Sequence, residues 1–338
     1  MPAQPSSDGV AVRTRALRRV YRTRRETIVA LDGIDLEVRR GEIFGVLGTN
    51  GAGKTTLIKI LVTLLLPTEG TAEVDGLDVV RDFRPLRHRI AMVSGGEHSG
   101  YGILTVREQL WMFSQFYGLP SDVAHARIDE LLERLGLSFA ANRRVSDLSS
   151  GMRQKMNLVR GLVTDPRVLF LDEPTVALDV GAARDVRREV RAWMDADPQR
   201  TVILTTHYMM EADELCDRIA IVDHGRIVAM GTPQELKQQV RQDVIVDLEV
   251  HAGERMLDTL RGVDGVTGAS VDERDGNDRF TLLLADDAAL TRVLAAVERS
   301  GRRVTALQKR EPTLEDAFVK LVGRGIAETD GNGSAGAA

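Results

Sequence analysis

The sequence predicts an α/β fold in which an inserted helical subdomain interrupts the core and a small α+β domain follows. Three observations support it. Apolar runs indicate buried strands at 167–173, 201–207 and 218–231. Residues 105–163 show mostly helical periodicity. After about Gln239 a second series of strands and helices begins, as expected for a separate unit.

The first domain is expected over residues 10–238, with its helical subdomain at about 97–163. Alternating polar and apolar residues indicate paired strands at 33–48, and Ser121 is the expected N-cap of one inserted helix. In chain order the elements are expected at 33–48 (paired strands), 54–66 (a helix stopped by Pro67), 70–76 and 87–94 (strands), 105–163 (helices), and 167–173, 201–207 and 218–231 (strands).

The second domain is expected over residues 239–325. Its predicted order, β-α-β-β-α-β, suits a small ferredoxin-like domain. A helix at 312–323 follows, with Pro312 in its first turn. Residues 1–9 and 326–338 are small and polar, which favours disorder.

Composition excludes some functions. The net charge of −5 argues against a nucleic-acid partner. Residues 12–25 nevertheless carry seven arginines and no acid. This stretch is either the solvated face of an edge strand or a contact with anionic lipid or an acidic partner. Cys216 is the only cysteine, which suits a reducing cytosol. The apolar run 57–67 is too short to span a bilayer, so a membrane role needs a separate chain.

The stretch "GTNGAGKTT" matches the phosphate-binding loop pattern G-x-x-x-x-G-K-[ST], between a predicted strand and a predicted helix. Its glycines let backbone N–H groups curl around a phosphate, whereas a chance glycine-lysine turn would lack this context. Lys54 would reach the β- and γ-phosphates of ATP, and Thr55 would offer its hydroxyl to Mg²⁺. The expected ATP-binding residues are Gly48, Thr49, Asn50, Gly51, Ala52, Gly53, Lys54, Thr55 and Thr56.

Two adjacent carboxylates end the buried strand "VLFLDE". Asp172 is the expected Mg²⁺ ligand, and Glu173 would polarise the attacking water. The same residues also suit a helix N-cap, and both interpretations can hold. His207 ends the next buried strand, where it is either a γ-phosphate sensor with a catalytic role or an ordinary strand-end histidine.

The segment "LSSGM" (148–152), upstream of "LFLDE", "ALD" (177–179) and "TTH" (205–207), resembles the signature of ABC-type ATPases, whose consensus is Leu-Ser-Gly-Gly-Gln. The resemblance covers about residues 10–235, and the order and spacing of all these motifs agree with the family. It implies a head-to-tail dimer in which ATP lies between one subunit's phosphate-binding loop and the other's signature. The residues it implicates are Ser149, Ser150 and Gly151 from the partner, Asp179 in the D-loop, and Tyr21 against adenine.

The sequence departs from the family pattern at two places. Ser150 replaces a glycine and Met152 replaces the glutamine of the signature. The family also carries a glutamine after the strand that ends near Ser94, which falls here at Gly95 or Gly96. Glu97 or His98 is a possible substitute.

The C-terminal stretch "EPTLEDAFVKLVGR" resembles cassettes of the daunorubicin-resistance type, which serve drug, lipid and polysaccharide exporters. The resemblance implies a cytoplasmic ATPase on the inner face of the membrane, a homodimer or a heterodimer with a similar cassette, bound to a separate permease. The alternatives are an importer cassette and a soluble ABC ATPase acting on ribosomes or DNA. A single phosphate-binding loop and the lack of a heptad run count against the soluble class.

Overall fold

The computed structural model describes residues 9–22, 26–95, 101–176, 178–240, 243–251, 256–273 and 277–322. Within them the strands are β1 Val10–Arg22, β2 Thr27–Arg39, β3 Ile43–Leu47, β4 Glu69–Val74, β5 Leu77–Asp78, β6 Ile90–Ser94, β7 Val168–Asp172, β8 Thr201–Thr206, β9 Arg218–Asp223, β10 Arg226–Gly231, β11 Val244–His251, β12 Val266–Glu273, β13 Asn277–Leu284 and β14 Val304–Arg310. The helices are α1 Lys54–Leu61, α2 Phe83–Arg87, α3 Val106–Phe116, α4 Ser121–Arg134, α5 Ser150–Leu162, α6 Val180–Asp195, α7 Met209–Leu215, α8 Pro233–Gln238, α9 Met256–Arg261, α10 Asp287–Arg299 and α11 Leu314–Val322.

A six-stranded sheet forms the centre of the first domain, in the order β10-β9-β3-β8-β7-β6. Strands β9, β3, β8, β7 and β6 are parallel, and β10 is antiparallel to β9. Every residue of β3, β7 and β8 is buried, because helices or a second sheet cover both faces. The parallel arrangement brings the carboxyl ends of β3, β7 and β8 to one edge, where ligands bind in such sheets.

The arginine-rich strand β1 lies inside a second sheet, of order β2-β1-β4-β5. The prediction of an edge strand is therefore wrong, because β2 and β4 pair with β1 on its two sides. Arg13 and Arg18 lie near acidic residues of neighbouring strands, Glu37 at 3.4 Å and Asp32 at 3.3 Å. These cross-strand ion pairs partly neutralise the stretch.

Two helix boundaries differ from the prediction. Helix α1 ends at Leu61 rather than near residue 66, because Thr63 adopts a left-handed backbone (φ 64°) and the Leu64 and Leu65 amides both donate to the Lys59 carbonyl. Ser121 is the first residue of α4 rather than its N-cap, which is Pro120. The Ser121 hydroxyl instead accepts a hydrogen bond from the Trp111 indole at 3.2 Å.

The second domain has the predicted order β11-α9-β12-β13-α10-β14. Its antiparallel sheet, β12-β13-β11-β14, has the ferredoxin-like arrangement, and α9 and α10 pack on one face. Pro312 precedes α11 rather than lying in its first turn, because Thr313 caps the helix through the Asp316 amide and carboxylate.

Helix α11 contacts both domains. Leu314 and Phe318 are buried in the core of the first domain, where α11 packs against α7, α8 and β10. Ala317 and Val319 pack on the other side with Leu283 of β13. Every helix in the described ranges is too short or too polar to cross a membrane. Residues 1–8 and 326–338, for which the sequence predicts disorder, lie outside the described residues. Gly9, the remaining residue of the expected disordered N-terminus, accepts a hydrogen bond from the Arg40 amide.

Candidate functional site: a nucleotide site at the carboxyl edge of the central sheet

The loop between β3 and α1 is shaped by glycines. Gly53 has φ 106°, and a β-carbon there would lie 2.4 Å from the Ala30 carbonyl oxygen. A β-carbon on Gly48 would lie equally close, 2.4 Å, to the Val222 carbonyl oxygen. Gly51 also has a positive φ, 80°. The sequence can therefore fold this loop only with glycine at positions 48 and 53.

The loop presents donors for an anion. Within the described part of the chain, no side chain caps the N-terminus of α1. Its first backbone N–H groups are therefore available to a phosphate, and the helix dipole favours negative charge there. Thr49 and Ala52 are buried, whereas Asn50 and Thr55 are exposed and Thr56 is half-buried.

Lys54 is buried under the loop. Its ammonium group donates to the carbonyl oxygens of Gly48 at 2.8 Å and Thr49 at 3.1 Å. It also lies 3.5 Å from Oε1 of Glu173. The loop thus holds the Lys54 ammonium group beside the Glu173 carboxylate, which directly follows β7.

The side chains of Asp172 and Thr55 place oxygen atoms next to each other. The Thr55 hydroxyl donates to Oδ1 of Asp172 at 3.3 Å, and the buried Thr205 hydroxyl donates to the same oxygen at 2.5 Å. A hydroxyl and a carboxylate are hard oxygen ligands of the kind that Mg²⁺ prefers. The residues present therefore fit a magnesium ion.

Glu173 has an unusual backbone. Its φ is 51°, in the left-handed region that residues with a β-carbon seldom adopt. The Glu173 amide donates to both the carbonyl and the hydroxyl of Thr205, at 3.0 and 3.2 Å. Its side-chain Oε1 lies 3.2 Å from Nδ1 of His207. The structure thus brings Lys54, Glu173 and His207 together, as the sequence predicts.

Gly95 is a site residue whose purpose the sequence does not reveal. Its amide donates to the Asp172 carbonyl at 2.8 Å, and a β-carbon on it would lie 1.8 Å from the Glu173 carbonyl oxygen. Position 95 therefore has no space for a glutamine side chain. Gly96, Glu97 and His98, the other positions considered for the missing glutamine, lie outside the described residues.

The signature and D-loop residues lie next to each other. Ser149 caps α5 by accepting from the Met152 amide at 3.3 Å, and Asp179 caps α6 by accepting from the Ala182 amide at 2.8 Å. Around a β-carbon placed on Gly151, the atoms within 4 Å belong to Ala182 and Asp179. The atoms nearest Gly151 therefore come from the D-loop cap rather than the phosphate-binding loop, and Ser149 and Ser150 are exposed.

Tyr21 lies near the end of β1 and pairs with Ile28 of β2. Its ring is half-buried, and the Arg19 guanidinium lies 4.6 Å from the ring centre. Two residues beyond Ile28, the Ala30 carbonyl is the group that approaches Gly53. The β1–β2 hairpin is thereby attached to the phosphate-binding loop.

Two family models match the chain. Residues 31–176, which include the phosphate-binding loop, the signature and the carboxylate strand, match the ABC transporter family. Residues 231–322 match the C-terminal domain of DrrA1-3-like ATP-binding proteins. The second match begins in β10 and ends with α11, so it includes the whole ferredoxin-like sheet.

Curated relatives extend over most of the chain. The daunorubicin resistance ATP-binding protein DrrA3 of Streptomyces coeruleorubidus is 42% identical over 298 residues, which cover 87% of this chain and 91% of the relative. The daunorubicin/doxorubicin resistance protein DrrA of Streptomyces peucetius is 36% identical and covers 96% of this chain and 94% of its own. A Nod factor export ATP-binding protein I of Cupriavidus pinatubonensis is also 36% identical, with 91% and 90% covered.

A solved ATP-binding subunit of an ABC transporter has the same architecture. It superimposes with a TM-score of 0.61 at 26% identity, covering 68% of this chain and 92% of its own. Together with a nucleotide site built from the loop at 48–56 and the carboxylates that follow β7, these similarities show that the chain belongs to the ATP-binding, ATP-hydrolysing proteins of ABC transporters.

Proposed function

We propose that this ATPase acts as a dimer on the inner face of the cell membrane and powers export through a separate membrane permease. The observation that carries the hydrolytic part is that Oε1 of Glu173, at the carboxyl edge of the sheet, lies 3.5 Å from the Lys54 ammonium group and 3.2 Å from Nδ1 of His207. The similar proteins act in daunorubicin and doxorubicin resistance and in Nod factor export, as their names state, which favours export over the importer alternative.

ATP would bind across the loop at 48–56. The backbone N–H groups from Gly51 to Thr56 would donate to the phosphates, and Lys54 would turn from the Gly48 and Thr49 carbonyls toward the β- and γ-phosphates. Tyr21, on the hairpin attached to this loop, would stack on the adenine.

Thr55 and Asp172 would hold Mg²⁺, the second cofactor of the site. The ion would neutralise charge on the β- and γ-phosphate oxygens. The hydrogen bond from buried Thr205 keeps the Asp172 carboxylate oriented toward the Thr55 hydroxyl.

Glu173 would accept the proton of the attacking water. Its carboxylate is a quarter exposed, so a water can reach it, and its left-handed backbone directs it toward Lys54 and His207. His207 would hold the Glu173 carboxylate through Nδ1 and donate to the γ-phosphate through its other ring nitrogen. Lys54 would stabilise the negative charge of the transferring phosphoryl group.

A homodimer would complete each site, with a heterodimer with a similar cassette as the alternative. Ser149 and Ser150 are exposed at the N-terminus of α5, and the half-buried Gly151 lies against the D-loop cap rather than the chain's own phosphate-binding loop. Ser149, Ser150 and Gly151 of one subunit would therefore donate to the ATP of the other, and Asp179 would lie at the subunit boundary.

A groove between the core and the helical segment would receive the permease. The cavity has a volume of about 700 Å³ and is lined by Leu64 and Val62 of the core, by Phe113, Phe116 and Tyr117 of α3, and by Arg84, Arg87 and His88. Leu64 and Phe116 are mostly exposed. An apolar groove with a basic rim fits a short amphipathic helix with an acidic end, exposed on the cytoplasmic side of a membrane protein.

The decisive test is the variant Glu173→Gln, compared with Glu133→Gln at an exposed position on α4. The Glu173 variant should bind ATP, form a dimer that gel filtration detects in ATP but not in ADP, and hydrolyse ATP at least about 100-fold more slowly than the native protein. The Glu133 variant should behave like the native protein. Near-native turnover by the Glu173 variant would refute the role given to Glu173.

A further inference from the structure

A buried carboxyl group on α7 contacts the segment that follows Glu173. Glu211 lies four residues after His207 and is 3% exposed. The Thr175 hydroxyl, also buried, donates to Oε1 of Glu211 at 2.9 Å. Thr175 lies two residues after Glu173, between this carboxylate and the D-loop. The Glu211 side chain thus connects the segment that follows β7 with α7, the helix that follows β8.

The environment of Glu211 favours its neutral form. Burial raises the pKa of Glu211 above its usual value, although the hydroxyls of Thr206 and Thr175 and the charges of Arg187 and His207 act in the opposite direction. Its Oε2 is shielded from solvent and has no hydrogen-bond partner within the described ranges. A glutamine would preserve both the shape and the neutral acceptor at this position.

The backbone of Glu173 needs support on each side. A left-handed conformation at a residue with a β-carbon persists only where neighbouring groups fix it. The Thr205 hydrogen bonds fix the Glu173 amide, and the contact with Gly95 fixes its carbonyl. The next tertiary hydrogen bond along the chain is the one from Thr175 to Glu211.

We propose that Glu211 is a positioning residue for ATP hydrolysis. Through Thr175, it holds the turn after Glu173 in a fixed position relative to the end of β8, which His207 follows. The proposal rests on the catalytic role proposed for Glu173. Among the hydrogen bonds of the described residues, the one to Glu211 comes from Thr175 rather than from the loop at 48–56, so its removal should displace the catalytic carboxylate without removing a phosphate contact. A displacement of about 1 Å is enough to slow a reaction by about 100-fold.

The test compares Glu211→Ala, Glu211→Gln, Thr175→Val and the double variant Glu211→Ala with Thr175→Val. For Glu211→Ala and Thr175→Val we expect kcat to fall about 10- to 100-fold, while KM for ATP and the affinity for a fluorescent ATP analogue change less than about threefold. Glu211→Gln should stay within about threefold of native kcat. The double variant should be no slower than the slower single variant, and its shift in thermal midpoint should be smaller than the sum of the single shifts.

Glu42→Ala is the matched control. Glu42 is a buried glutamate that accepts from the Arg218 guanidinium at 3.0 Å, at the opposite end of β3 from the nucleotide loop. This variant should lower the thermal midpoint and leave kcat within about twofold of native, which separates positioning from general destabilisation.

Three results would overturn the proposal: native kcat in Glu211→Ala or Thr175→Val, a Glu211→Gln variant as slow as Glu211→Ala, or additive effects in the double variant. If Glu211→Ala fails to fold, Thr175→Val and Glu211→Gln still test the same link. An inactive Glu173→Gln together with a native-like Glu211→Ala would refute only this inference. A native-like Glu173→Gln would refute the proposed function instead.

Discussion

Gly95 and Glu173 are packed backbone against backbone, so closely that a β-carbon on Gly95 would lie 1.8 Å from the Glu173 carbonyl oxygen. The two residues directly follow neighbouring parallel strands, β6 and β7, and the Gly95 amide donates to the Asp172 carbonyl at 2.8 Å. Any side chain at position 95 must therefore move the peptide that carries the proposed catalytic carboxylate.

Gly95→Ala should reduce kcat for ATP at least about 100-fold while the affinity for ATP changes only a few-fold, because the phosphate-binding loop is not touched. Turnover by purified protein and binding of a fluorescent ATP analogue measure the two effects. Gly262→Ala in the second domain is the control, since a β-carbon there would meet its nearest atom, the Asp258 carbonyl oxygen, at an ordinary contact distance of 3.5 Å. Unchanged turnover in Gly95→Ala would contradict the close packing.

Lys54→Ala should abolish hydrolysis and weaken ATP binding, because the variant loses the only lysine side chain whose ammonium group lies under the loop at 48–56 in the described part of the chain. Lys59→Ala, at an exposed position on the same helix, should keep native turnover. Binding is measured by titration and hydrolysis by phosphate release. Undiminished hydrolysis by Lys54→Ala would exclude this loop as the phosphate site.

Mixing two inactive variants tests whether sites are shared. Ser149→Arg and Lys54→Ala should each be inactive alone, because one blocks the signature and the other the phosphate-binding loop. In an equimolar mixture of a homodimer, about a quarter of the sites should regain activity, since each mixed dimer has one intact site. No recovery would contradict sharing of sites between subunits.

Phe116→Asp should prevent copurification with the permease and leave basal ATP hydrolysis unchanged, because it places a charge in the apolar groove, away from the nucleotide site. Phe139→Asp is the matched control, at another exposed phenylalanine that does not line the groove. Equal permease binding by both variants would exclude the groove as the docking site.

Because of Asp247, the stability of the second domain should vary with pH in the acid range. Burial alone would raise the pKa of Asp247, but hydrogen bonds from Arg279 and Arg310 outweigh it and lower the pKa below its usual value. The stabilisation is therefore fully present above the unfolded-state pKa, about 4, and is lost as the pH falls through the lower folded-state value.

Asp247→Asn should consequently reduce the free energy of unfolding at pH 7 by about 2 kcal/mol, because Arg279 and Arg310 lose a charged hydrogen-bond acceptor while Arg310 keeps its ion pair with Asp316. Its unfolding should also depend less on pH below about 4 than that of the native protein. Urea unfolding at pH 7 and pH 3 measures both effects. Asp258→Asn, at an exposed position on α9, should change neither, and an equal response of the two variants would contradict the prediction.

The sequence predicts which candidate site residues lie together where their placement depends on local pattern. The loop at 48–56 and the residues Asp172, Glu173 and His207 each follow an apolar strand, and parallel pairing alone brings such strand ends to one edge. The order of the second domain is predictable for the same reason, because each element has its own periodicity.

Features that depend on distant contacts are not predictable in this way. The interior position of β1 depends on pairing with β4, and the arginines suggest an edge because cross-strand acids cannot be read from one strand. The early end of α1 depends on one left-handed residue, Thr63. Thr205, Gly95 and Glu211 become site residues only through contacts with the turn after β7.

Helix α11 also has a consequence for biosynthesis. Phe318, fully buried among side chains of the first domain, is made after nearly all of the residues it packs with. The N-terminal ATPase core thus cannot close while its own sequence is emerging from the ribosome, and an apolar cleft between α7, α8 and β10 stays open until α11 is synthesised. A nascent chain stalled before residue 314 should therefore bind chaperones, even though its whole nucleotide site has already been translated.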